Sequence, residues 1–113
     1  MFLKLYFHIN KNFKYNFIKK IVLLYIMLEY LIEFIGTFFF LSVIIFTGNP
    51  IAIGLTLAAM IAMGGKISGG HFNPAVSFMM FCNNKIDLTK LILYIIAQLF
   101  AAFTVFLLKK QLE

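Results

Sequence analysis

Residues 68–77, Ser-Gly-Gly-His-Phe-Asn-Pro-Ala-Val-Ser, lie between two long apolar runs and are too polar and too glycine-rich to continue either one. A loop of this kind at membrane depth cannot face lipid, because its peptide groups would have no hydrogen-bond partners. Non-helical backbone survives there only when it is buried in protein or lines a water-filled cavity. Asn73-Pro74 then reads as a helix start. Asparagine is a favoured N-cap, and proline at the first helical position loses nothing by lacking an N–H. The spacing predicts a half-helix over 74–82 that begins inside the membrane and turns its positive end towards a cavity. That is channel architecture.

Composition agrees with a membrane setting. The chain is 63% hydrophobic and 12% charged, with a mean hydropathy of +0.98. That leaves too little polar surface for a soluble domain of this length. The fold class is therefore all-α membrane protein. One cysteine, Cys82, leaves no disulfide framework and no zinc cluster. The net charge of +6 comes entirely from lysines that flank apolar runs. They read as topology anchors, and a nucleic-acid partner is not expected.

Three spans are expected, at about 25–47, 51–66 and 88–108. The first ends in the turn Thr47-Gly48-Asn49-Pro50. The second is short for a full crossing, as befits a helix that hands over directly to a re-entrant loop. Asn83-Asn84-Lys85 forms a polar turn, Asp87 or Thr89 caps the third span, and Lys109-Lys110 stops it. Gly54, Ala58 and Ala62 recur every fourth residue, as do Ala97 and Ala101. Such small-residue stripes let helices approach closely in lipid. Residues 1–24 form a basic N-terminal leader, readable as an interfacial amphipathic stretch or as sequence upstream of a natural start at Met27, and expected to be dispensable. Eight lysines lie on the side of the N-terminus and the re-entrant loop, two on the other. The positive-inside rule places the N-terminus in the cytoplasm and the C-terminus outside.

Glu33 is the most expensive residue in the first span, and an intramembrane carboxylate is by default a functional candidate. Here it is expected to be structural, an acceptor for the N–H groups of the buried loop. Glu29, one turn earlier, belongs near the interface. His71 has no second ligand at metal spacing, so it is expected to brace the loop through Glu33 or backbone, and no metal or other cofactor is expected. The carbonyl of Asn73 can be held by the half-helix, which leaves its NH₂ free to face the cavity. Gln98 is expected to make an interhelical hydrogen bond. No nucleophile–base pair, phosphate loop or paired catalytic carboxylates are present, so an enzyme is not expected.

Together these segments resemble the aquaporin and aquaglyceroporin (major intrinsic protein) family over about residues 28–108. Glu33-Phe34-Ile35-Gly36-Thr37 is similar to the family's first-span glutamate motif. Ile67 to Ser77 is similar to its first signature loop, and Tyr94-Ile95-Ile96-Ala97-Gln98 to its third-span motif. The resemblance implies that Asn73, Pro74 and Ala75 form one half of a central constriction. It also implies pore-lining carbonyls at Gly69, Gly70, His71 and Phe72, with Glu33 bracing the loop. The expected solutes are water or small neutral molecules such as glycerol, and the expected setting is the lipid bilayer of the cell membrane.

There are three departures from the family pattern. Ala101-Ala102 stands where the family usually has Gly-Ala. Ile53 stands at a filter position that members often fill with an aromatic. The chain also holds one Asn-Pro-Ala loop, whereas the family has two inverted halves with one loop each. Two readings follow. In the first, the chain is a channel polypeptide completed by a complementary half or homologous subunit. In the second, it is a non-conducting membrane protein that binds or modulates a full-length channel.

Overall fold

The computed structural model describes all 113 residues, folded into four helices in the order α1 (Phe2–Thr47), α2 (Pro50–Ser68), α3 (Pro74–Cys82) and α4 (Leu88–Leu112). α1, α2 and α4 are each long and apolar enough to cross a bilayer. α3 has nine residues and is not. α1 is the centre of the bundle: it packs against both α2 and α4, while the half-helix α3 rests on α4.

Local signals account for most helix ends. Gly48 closes α1 in the left-handed region at φ 60°, its N–H donating to the Ile44 carbonyl. Glycine adopts that conformation without a Cβ penalty. Asn49 then caps α2, its side-chain oxygen accepting from Ile51 and Ala52 at 2.9 and 3.0 Å, with Pro50 at the first helical position. Asp87, rather than Thr89, caps α4 by accepting from the Lys90 N–H at 2.7 Å. α2 runs two residues beyond its expected end, to Ser68, where Gly69 at φ 92° terminates it.

Two expectations are revised. The helix of the first span does not begin at about residue 25, although burial against the other helices begins only at Glu29. One helix continues from Phe2 through the first span, because no glycine precedes Gly36 and no proline precedes Pro50 to interrupt it. The small-residue stripe Gly54, Ala58 and Ala62 is exposed along α2, away from the α1–α2 seam. The close approach of α2 to α1 is instead at Gly64, where an added Cβ would overlap the Ile32 side chain.

The seam of α4 is read from its buried residues Leu91, Tyr94, Gln98, Ala101 and Val105, spaced three and four apart on one face. Gln98 on this face meets Glu33 of α1, which is buried along with Gly36 and Thr37. Tyr30 and Tyr94 meet edge to face at 5.7 Å between ring centroids. At the edge of the bundle Lys90 pairs with Glu29 at 2.9 Å, the one ion pair between helices.

Candidate functional site: a glycine-rich loop bound by one carboxylate

The loop from Ser68 to Asn73 is held from inside by Glu33, which is fully buried. Oε1 of Glu33 accepts from the Ser68 hydroxyl at 2.7 Å and the His71 N–H at 2.9 Å. Oε2 accepts from the Phe72 N–H at 2.6 Å and the Gln98 side-chain amide at 3.0 Å. Four donors converge on two oxygens, which is what a carboxylate, an acceptor with two lone pairs on each oxygen, can satisfy. The N–H groups of the two glycines are also used. The Gly69 N–H reaches the Gly65 carbonyl at 2.8 Å, and the Gly70 N–H reaches Ser68 Oγ at 3.1 Å.

The acceptors of the same segment behave in the opposite way. The carbonyl oxygens of Gly69, Gly70, His71 and Phe72 accept no hydrogen bond from the protein. Every N–H of these four residues is bonded inward, and every C=O is left open. The backbone geometry makes this separation possible: Gly69, Gly70 and Phe72 all have positive φ, at 92°, 64° and 51°. For phenylalanine that conformation is strained. It is held by the bond to Glu33 and by burial of the ring, 1% exposed, over Gly36. A Cβ at Gly36 would run into that ring.

Asn73 has an extended backbone, φ −157°, and caps α3 by accepting from the Ala75 N–H at 2.8 Å. Its residue is exposed and its amide NH₂ has no partner in the protein. Pro74 occupies the first helical position and Ala75 is exposed beside it. Ile53 is half-buried in the first turn of α2, towards the opposite end of that helix.

The level of the half-helix follows from α4. Ser77 of the half-helix accepts from Gln98 at 2.9 Å. Gln98 is ten residues beyond Leu88, the start of α4. At a rise of about 1.5 Å per residue it lies roughly 15 Å along α4 from that start, and the half-helix meets α4 at that level.

His71 contributes differently from the sequence expectation. Its main-chain N–H, not its ring, bonds Glu33, and the ring Nδ1 lies 3.0 Å from Ser77 Oγ. The ring edge packs on Tyr94 at 5.1 Å between centroids. Tyr94 in turn donates its hydroxyl to the Ser68 carbonyl at 2.6 Å. Sequence reasoning gave no role to Ser68, Ser77, Tyr94 or Gly36. The two serines stood within the loop motif, and small hydroxyl residues inside an apolar helix signal an internal partner.

Fold and site thus define a multi-pass integral membrane protein with a polar loop buried between its spans. Residues 20–112 match the Major intrinsic protein family, and the chain belongs to it. The chain is 45% identical over 85 residues to glycerol uptake facilitator protein-like 6 of Lactiplantibacillus plantarum, a match covering 67% of this chain and 39% of that relative. It is 48% identical over 52 residues to aquaporin-4 of Mus musculus, covering 46% of this chain and 16% of the relative. It is 45% identical over 53 residues to aquaporin Z of Photorhabdus laumondii, covering 47% and 23%. The chain therefore spans well under half the length of these curated relatives. No solved structure matches it.

Proposed function

We propose that this chain supplies one half of a channel for water or small neutral solutes such as glycerol in the cell membrane, and that a complementary half or homologous subunit completes the pore. The observation that carries this reading is the division of the loop. Four consecutive N–H groups are bonded inward and four consecutive carbonyls are left open beside an unpartnered Asn73 NH₂. A file of carbonyl acceptors ending at an amide donor offers a passing hydroxyl successive hydrogen bonds, while the positive end of α3 disfavours cations. Asn73, Pro74 and Ala75 take the constriction, and Ile53 takes a filter position nearer the mouth. The names of the relatives support both solute classes.

The need for a second half is supported by exposure. Asn73, Ala75, Phe78 and Met79 of the loop and α3 are exposed, and α2 packs along α1, touching α4 at its end through the Tyr94–Ser68 bond. A polar loop left open in this way faces lipid, where its carbonyls have no partner. The purified chain in proteoliposomes should give no swelling above empty vesicles under an osmotic or glycerol gradient. Co-reconstitution with a second half carrying its own Asn-Pro-Ala loop should restore it. Asn73→Asp should then lower the flux, because a carboxylate replaces the NH₂ donor. Swelling with the single chain would point instead to a homo-oligomeric pore. Loss of a full-length channel's flux on co-reconstitution would favour a modulating role.

A further inference from the structure

α1 is far longer than the bundle it belongs to. Its 46 residues, at about 1.5 Å each, make a rod as long as the 69 Å main axis of the molecule. Burial begins at Glu29; every residue from Met1 to Leu28 is exposed. From Glu29 to Thr47 the helix measures roughly 28 Å, which fills the hydrocarbon core by itself. Residues 2–28, roughly 40 Å of helix, are all exposed.

Within that segment two lines of side chains can be traced, one mainly aromatic and one mainly basic, with Phe7 and Ile18 falling among the lysines and Asn16 beside the aromatic line. Phe2, Tyr6, Ile9, Phe13 and Phe17 follow one another at steps of four, three, four and four residues, and so share one face. Phe13 and Phe17 stack along it at 6.4 Å between centroids. Lys4, His8, Lys11, Tyr15 and Lys19 repeat the same steps from a start two residues later, which puts them on the opposite face. Lys14 flanks the two stripes. Lys20 falls on the line of the apolar one and ends it.

Neither water nor the hydrocarbon core suits this surface. In water the aromatic stripe stays open, with Phe2 83% and Phe13 69% exposed. As a second crossing it would carry five lysines into lipid. The family match begins at residue 20, so the stripes lie outside what the family accounts for.

We infer that residues 2–19 dock as an amphipathic basic helix on an anionic bilayer surface, with the aromatic stripe in the acyl boundary and the lysine stripe among negatively charged headgroups. Such a surface is apolar on one side and negative on the other, as the helix requires. The segment is joined to a span, so its local concentration at that surface is high without any partner protein. Docking requires the continuous α1 to bend between Lys19 and Glu29, where interfacial water would take up the freed peptide groups.

The test uses the whole chain with Cys82→Ser and a single probe-bearing cysteine, at Phe13→Cys on the aromatic stripe or Tyr15→Cys on the basic one. The proteins are reconstituted in phosphatidylcholine vesicles with or without phosphatidylglycerol. The expected result is a blue-shifted probe at position 13, shielded from aqueous iodide only in the anionic vesicles, with position 15 accessible in both. High salt, or Lys4→Gln, Lys11→Gln and Lys19→Gln together, should weaken the docked state by about tenfold or more, given the contribution of each lysine near an anionic surface. Equal iodide access at positions 13 and 15 in anionic vesicles would overturn the proposal. So would equal shielding of position 13 in both vesicle types; if that shielding grew with protein density, it would assign the stripe to a second copy of the chain.

Discussion

Gln98 of α4 donates to Glu33 of α1 at 3.0 Å, and the same Nε2 donates to Ser77 of the half-helix at 2.9 Å. This one amide ties three helices together. The carboxylate fixes its orientation, since a flipped amide would turn its oxygen against Glu33 Oε2. With Ser77 Oγ accepting from Gln98, the acceptor that remains for the serine hydrogen is Nδ1 of His71, 3.0 Å away. A hydrogen bond in that direction corresponds to the His71 tautomer protonated at Nε2, and this is the one we predict.

That assignment is measurable. The ¹⁵N spectrum of His71 in the folded chain should show a protonated Nε2 and an acceptor Nδ1. Ser77→Ala removes the hydroxyl, and the tautomer preference should weaken. A spectrum dominated by the Nδ1-protonated form would reverse the His71–Ser77 bond and leave the Gln98 bonds as they are.

Substitutions at Glu33 should rank by the donors they leave unpaired. Glu33→Gln keeps one oxygen and sets an NH₂ against donors that need an acceptor, so it should be destabilised. Glu33→Ala and Glu33→Leu leave all four donors unpaired and should lose more, at about 1–3 kcal/mol for each buried donor orphaned. Thermal unfolding in detergent gives the ranking. Equal midpoints for Gln and Leu would show that the carboxylate does not hold the loop.

Gly36→Ala places a methyl group where the Phe72 ring lies. The ring is buried and its backbone is already left-handed, so it has little room to yield. Overpacking here should cost about 1–3 kcal/mol. Gly54→Ala meets nothing within 4 Å and should leave the isolated chain's stability unchanged or raise it by up to about 1 kcal/mol through helix propensity. Comparing the two melting points separates a packing requirement from a general intolerance of added methyl groups.

Topology follows from an odd number of crossings. In a Cys82→Ser background, single cysteines at Lys14 and Gln111 should be labelled from opposite sides of sealed vesicles, with Asn49 on the side of Gln111. Labelling of positions 14 and 111 from the same side would refute three spans.

The sequence by itself determined the helices and the point at which the chain re-enters the membrane. Apolar length, Asn49-Pro50, Asn73-Pro74 and Asp87 act on backbone groups within a turn of themselves, so capping and hydropathy could be read directly. The same reasoning found Glu33 and Gln98, because a buried polar group in an apolar span must have a partner. Which partner it has was decided only by the tertiary structure. Glu33 meets donors 35 to 65 residues away, and His71 meets Ser77 with its ring while its backbone goes elsewhere. The α1–α2 contact at Gly64, in place of the more regular Gly54-Ala58-Ala62 stripe, was settled in the same way. Small-residue spacing says that a helix has a face able to pack closely. Which face meets a neighbour depends on how the helices are rotated about their axes, and in this chain α2 is turned so that Gly64 faces Ile32.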